Sequence, residues 1–188
     1  MNQILRPTEE RELQALVAEH ARANRGMDVQ GGSSKQGIGR PVEAGSILST
    51  RNLRGITLFE PSELVISARA GTALSAVEAE LGKANLRCAF EPLDLGPMLG
   101  EAALQSTIGG VVATNLSGAR RVAAGAVRDH LLGVRAVNGR GELFKWGGRV
   151  MKNVAGYDLC RGLAGTWGTL AVLTEVTLKA VPKAEETR

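Results

Sequence analysis

Ser106-Thr-Ile-Gly-Gly-Val-Val-Ala-Thr-Asn-Leu-Ser-Gly118 gathers three glycines with hydroxyl and amide side chains. That is the composition of a backbone that must approach something large, flat and anionic. Thr107, Ile108, Gly109 and Gly110 read as the opening of a helix that turns Val111, Val112 and Ala113 inward. Such a start leaves free N–H groups at the positive helix end, where an anion is held without charged side chains. The competing reading is glycine-permitted packing of helix on sheet. Asn115, Ser117 and Gly118 extend the same polar wall of low bulk. Upstream, Gly31, Gly32, Ser33, Ser34 and Lys35 begin a loop that runs to Gly39. Its glycines let successive N–H groups point inward, and the serines and lysine add donors and charge. Alone, this loop reads more readily as a flexible surface segment. It has no GxxxxGK[ST] spacing. Gly32, Gly37 and Gly39 do not fit GxGxxG either, and no acidic residue follows on a second parallel strand. No Ser/His/Asp set, telling carboxylate pair or metal-ligand spacing is present. His130 beside Asp129 is the one tempting acid–base pair, and neighbours on a strand face opposite ways.

The elements that must position these loops are legible in outline. Pro7-Thr8-Glu9-Glu10 reads as a helix start, with Thr8 as cap and the glutamates at the positive end of the dipole. Leu13, Leu16, Val17 and Ala21 follow helical spacing, and Gly26 is placed to end the helix. Strands are expected at 27–30 and 46–50, closing an N-terminal lobe over residues 1–54. A second lobe over 55–182 starts with strands at 56–59 and 64–68 around the turn Glu60-Pro-Ser-Glu63. Gly71-Thr72 opens a helix with Leu74, Val77 and Leu81 on one face and Gly82 near its end. Residues 88–104 read as an extended connection. Strands 131–138 and 142–145, split by Gly139-Arg-Gly141, predict a hairpin, and a last strand spans 169–180. Residues 183–188 form a tail. An early helix, alternating strands and late hairpins argue α+β and not a doubly wound sheet.

Composition narrows the classes. Aromatics make up 3% of the 188 residues and glycine contributes 24, so the core is aliphatic with backbone close to backbone. Cys88 and Cys160 lie outside any CxxC pattern and read as two reduced, buried cysteines. The first residues lack the apolar region of a signal peptide, and no stretch approaches the ~20 apolar residues of a membrane span. Both point to a cytoplasmic protein. The net charge is +4, and nine Lys/Arg against three acids fall between Ser117 and Arg161. The basic residues are dispersed, with no interleaved aromatics for stacking bases, which argues against nucleic acid as a partner.

Taken in order, the 106–118 stretch, Gly125-Ala-Val-Arg-Asp129, Asn153-Val-Ala-Gly-Tyr-Asp-Leu159 and Gly165-Thr-Trp-Gly-Thr-Leu-Ala-Val-Leu-Thr-Glu-Val176 resemble the FAD-binding domain of the vanillyl-alcohol-oxidase/PCMH flavoprotein family. Within it they look most like the FAD-binding E-type subunits of glycolate oxidases. The resemblance runs from about Pro7 to Pro182. It implies a PCMH-type domain of two α/β lobes with FAD between them, and the pyrophosphate at the loop after Gln30. It places Gly125 in a turn closing over the cofactor. Asp129 then accepts from a ribose or pairs with Arg128. Tyr157 lies near the flavin ring or serves as a core aromatic, and Val172 or Leu173 offers backbone groups to adenine or flavin. Many relatives attach FAD through a His or Cys in or near the flavin loops; serines stand here, which implies non-covalent FAD. The family's Gly-Ser-Glu-Gly-Thr motif has Trp167 in place of the glutamate. Its substrate-binding cap follows the FAD domain, so a chain stopping near Pro182 is expected to lack the cap and to be inactive alone. The implied function is the FAD-binding module of a 2-hydroxy-acid dehydrogenase complex. Its partners are a second flavin subunit and an iron–sulfur subunit, through which it can sit at the inner membrane. The alternatives are another FAD reductase, such as a UDP-N-acetylenolpyruvylglucosamine reductase-like enzyme, and a non-catalytic scaffold with an empty flavin groove.

Overall fold

The computed structural model describes residues 3–38, 42–99, 105–148 and 158–184. Two sheets form its frame. The first is three-stranded and parallel, built from β1 (Gln3–Leu5), β2 (Met27–Gln30) and β3 (Ser46–Ser49), with β3 in the centre. Helix α1 (Glu10–Arg22) crosses between β1 and β2. Its apolar stripe, Leu13 and Val17, packs with Leu48 and Leu53.

The second sheet holds β4 (Ile56–Glu60), β5 (Val65–Arg69), β7 (Leu131–Asn138), β8 (Leu143–Gly147) and β9 (Ala171–Pro182), in the order β4-β5-β9-β7-β8. The short β6 (Leu86–Cys88) pairs with the far end of β9. All these pairings are antiparallel. Helices α2 (Leu74–Lys83), α3 (Ile108–Thr114), α4 (Arg121–Ala124) and α5 (Leu159–Leu163) complete the chain. Leu74, Val77 and Leu81 of α2, Ile108, Val111 and Val112 of α3 and alternate β9 residues form the larger core. The smaller core also draws in Val137 of β7 and Val172 of β9. Residues from both sheets therefore share one apolar cluster. Among the described residues, no helix is long and apolar enough to cross a membrane.

The α+β architecture expected from the sequence is the one observed, with local corrections. Glu9, not Thr8, occupies the N-cap of α1, and it makes no side-chain cap bond. Thr8 instead donates its N–H to the Glu12 carboxylate at 2.8 Å. The helix ends at Arg22, and left-handed Asn24 (φ 49°) makes the reversal that Gly26 was expected to make. Strand β1 has no counterpart among the expected strands. The last strand begins two residues later than expected and runs on to Pro182. The expected hairpin is present, and Gly141 (φ 78°) has a second task there. A β-carbon on it would strike the backbone of Ala18 in α1.

Candidate functional site

Between the two sheets lies a cavity of about 480 Å³. One wall is β2 and the loop after it; the other is α3, the segment 166–169 and the start of β9. Gly31, Gly32, Ser33, Ser34, Lys35, Thr107, Gly109, Gly110 and Val172 all line it, so the structure brings these expected site residues together.

The loop wall is held against residues 105–107. A β-carbon on Gly32 would collide with the Gln105 carbonyl, and one on Gly31 with the Thr107 hydroxyl. The loop can therefore lie flat only as glycine. Ser33 takes a left-handed conformation (φ 61°). Among the described residues, the backbone N–H groups from Gly32 to Lys35 make no hydrogen bond to a protein acceptor, although Gly32, Ser34 and Lys35 are buried. A row of unspent amides around a left-handed residue is a concavity for an anion.

Lys35 adds charge to this wall and is only 8% exposed. Its ammonium donates to Ser106 Oγ at 3.0 Å and Ser34 Oγ at 3.4 Å. Ser106 Oγ donates in turn to Asp94 Oδ1 at 2.8 Å. Burial pushes the Lys35 ammonium below its usual pKa, and the charge of Asp94 acts in the opposite sense. Among the described residues no carboxylate lies within ion-pair distance of it. A cation held this way is completed by an anionic ligand.

The opposite wall corrects one expectation. The N–H groups at the start of α3 are not free. Ile108 N–H donates to Thr72 O, Gly109 N–H to Ala70 O, both at 2.9 Å, and Gly110 N–H to Thr107 Oγ1 at 3.2 Å. These bonds dock α3 on the segment that follows β5. They leave its opening turn as a smooth, low-bulk face without donors. Gly109 is required there because a β-carbon would press into Ala70, whereas one on Gly110 would meet only the Thr107 hydroxyl at 3.2 Å. The amides without a protein acceptor sit on the loop instead.

Ile108 is fully buried in the core and does not line the cavity. Asn115, Ser117, Gly118, Gly125 and Asp129 lie instead in the connection from α3 to β7, where they fix the backbone. Asn115 Oδ1 accepts from Arg128 N–H and Ser117 Oγ from Val127 N–H, each at 3.2 Å. Gly118 packs on Glu91, and Gly125 (φ 81°) turns the chain. Asp129 Oδ2 accepts from Ala126 N–H at 2.9 Å, and its Oδ1 stands 3.8 Å from Arg128 Nε. Of the two roles open to Asp129 in the sequence, the pairing with Arg128 is present. Gly39, Asn153 and Tyr157 lie outside the described residues.

Several cavity residues lie outside the expected site set: Ala70, Ala113 and Thr114, and Thr166 to Thr169 as a wall. Small residues on α3 gave no signal beyond helix packing. Trp167 did give one, as a departure from a motif.

The comparisons with known proteins agree with this geometry. The FAD binding domain family matches residues 1–147. Glycolate oxidase subunit GlcE of Escherichia coli (strain K12) is 48% identical over 155 residues, which are 82% of this chain and 42% of that protein. D-lactate dehydrogenase of Archaeoglobus fulgidus is 30% identical over 156 residues, 83% of this chain and 33% of that one. A solved structure of alkyldihydroxyacetonephosphate synthase shares the fold, with a TM-score of 0.76 at 22% identity over 97% of this chain and 32% of that one. The chain thus spans less than half the length of these relatives. FAD carries a diphosphate between two flat ring systems, and the cavity offers unspent amides and a buried cation beside smooth, low-bulk walls. On that fit, and on a family match across most of its length, the chain belongs to the FAD binding domain family.

Proposed function

We propose that this chain is the FAD-holding module of a glycolate oxidase-like 2-hydroxy-acid dehydrogenase. In this reading electrons pass from substrate to flavin and on to a second flavin subunit and an iron–sulfur subunit, on the cytoplasmic side of the inner membrane. The row of amides from Gly32 to Lys35 without protein acceptors, with the Lys35 side chain buried beside it, carries the reading. The 48% identity to a glycolate oxidase subunit supports the choice of substrate class.

Bound flavin supplies acceptance of the hydride and its release as single electrons. The chain's residues do the rest. Amides of the 31–37 loop orient the diphosphate, and Lys35 neutralises its charge. Ala70, Ala113, Val172 and Leu173 keep water from the ring faces. Thr107 holds Gly110 so that the first turn of α3 presents no bulky side chain to the cofactor. Asn115, Ser117, Gly118, Gly125 and Asp129 serve as positioning residues that hold the turn beside α3.

The flavin is non-covalent in this reading. The cavity has no His, Cys or Tyr among its described lining. Burial pushes the Cys88 and Cys160 thiols up to about 12 and about 11, so neither is a thiolate able to attack a flavin.

Incubation with FAD followed by gel filtration tests the reading. A flavin spectrum that travels with the protein, and is released in full by acid precipitation, is expected. Colourless protein would overturn the assignment. Anaerobic bleaching of the loaded flavin by glycolate or D-lactate in the presence of the partner subunits then tests the substrate class.

A further inference from the structure

The segment 165–168 holds three of its four residues at positive φ: Gly165 at 90°, Trp167 at 57° and Gly168 at 79°. Glycine adopts this region freely, but a bulky side chain there is a steric outlier. The backbone of Trp167 is pinned nonetheless. Its N–H donates to Ala113 O at 2.9 Å, and Gly165 N–H donates to Val112 O at 3.3 Å. Both bonds tie the segment to the last turn of α3, and neither needs an indole.

Among the described residues, no core packing accounts for the indole. It is 43% exposed and belongs to neither apolar core. Yet it lines the cavity, and among the described residues it is the one aromatic on that wall. The chain has two tryptophans, one tyrosine and three phenylalanines, so an aromatic placed in solvent is a sparing use of a scarce residue. A strained conformation held by its surroundings, with the side chain facing a ligand cavity, marks a functional position.

We infer that Trp167 is the stacking wall for one of the two planar nitrogen heterocycles of the bound dinucleotide. The inference rests on the FAD reading above and names the residue that grips a ring. In that reading the amides from Gly32 to Lys35 hold the diphosphate on the facing wall. The rings project from that point, and one of them meets the indole face.

Calorimetric titration of FAD into the full chain and into W167F and W167G, with melting of each unliganded protein, tests this. W167G should lose roughly five- to hundredfold in FAD affinity, the range for removing an aromatic stacking partner. Its unliganded melting temperature should hold or rise, because glycine relieves the left-handed conformation. W167F should stay within about threefold of the parent, since a flat ring remains. ADP and FMN, titrated separately, identify the ring: one of them should weaken on W167G while the other holds. Parent protein that fails to bind FAD overturns the FAD reading and this inference with it. Parent that binds while W167G binds equally overturns the inference alone. So does a W167G that melts well below the parent, or one that weakens ADP and FMN alike, because the role would then be structural.

Discussion

A buried lysine among serines costs a folded protein stability, and Lys35 is such a residue. Burial holds its pKa in the folded state below the ordinary lysine value of 10.5. Between the folded value and 10.5 the unfolded chain binds more protons, so the folded state gains stability as pH rises through that window. Lys35→Met should therefore stabilise the unliganded protein at pH 7, by about 1 kcal/mol in urea unfolding. That gain should shrink as pH approaches 10.5. The same variant should bind FAD at least tenfold more weakly, because a buried charge facing the diphosphate is gone. Gly109 and Gly110 should separate just as cleanly. Gly109→Ala drives a methyl group into Ala70 and should cost about 1–3 kcal/mol of stability. Gly110→Val needs only a small shift of the Thr107 hydroxyl, yet it fills the cavity wall. It should fold and fail to bind FAD in the same titration.

Between elements, a polar cluster at Glu10 adds to the apolar docking of α1 on the second sheet, beside an ion pair of Glu9 with Arg69. Glu10, in the first turn of α1, accepts from Arg135 of β7 and from Thr174 Oγ1 of β9. Burial raises the Glu10 carboxyl, but hydrogen bonds from Arg135 and Thr174 outweigh it and hold the pKa below 4.5. A depressed carboxyl contributes stability above its unfolded pKa and loses it as pH falls through the folded value. Glu10→Gln should cost about 1–2 kcal/mol near neutral pH. The difference from the parent should shrink as pH falls below 4.5 and vanish once pH passes the lowered folded-state value, which urea unfolding at several pH values will measure. The Gly139-Arg-Gly141 hairpin was legible in the sequence because its turn chemistry and strand periodicity agree. So was α2, from the spacing of Leu74, Val77 and Leu81. Strand β1 was not legible: three residues carry no period, and its partner β3 lies some forty residues away in sequence. Composition left the glycine loop after Gln30 open between a surface segment and an anion site, and its close packing on residues 105–107 was not legible because it depends on a contact some seventy residues away. The loss of the free amides on α3 was not legible either, because Thr72 and Ala70 accept them through tertiary contacts.

At the scale of the whole molecule, the two sheets do not own separate cores. Leu13 and Leu48 pack with Val137 and Val172, so loosening one sheet exposes apolar surface on the other. Scanning calorimetry should therefore show a single transition with equal van't Hoff and calorimetric enthalpies. Leu13→Ala should lower that one transition, at a cost of about 2–5 kcal/mol, without splitting it. Saturating FAD should raise it, by about 2.7 kcal/mol at a hundredfold excess over Kd. The central position of β9 has a consequence for biosynthesis. Strands β5 and β7 both pair with β9 and not with each other, in registers such as Val65 with Lys179 and Asn138 with Ala171. A nascent chain thus carries two unfinished ribbons, 56–69 and 131–147, with open edges until β9 has left the ribosome. Because Ala171, Val172 and Leu173 open β9 and line the cavity, the pocket takes shape only as that strand inserts. Cofactor capture is thereby placed at the close of domain folding. A chaperone that shields those two ribbons during translation would raise the yield of flavin-competent protein more than added FAD would.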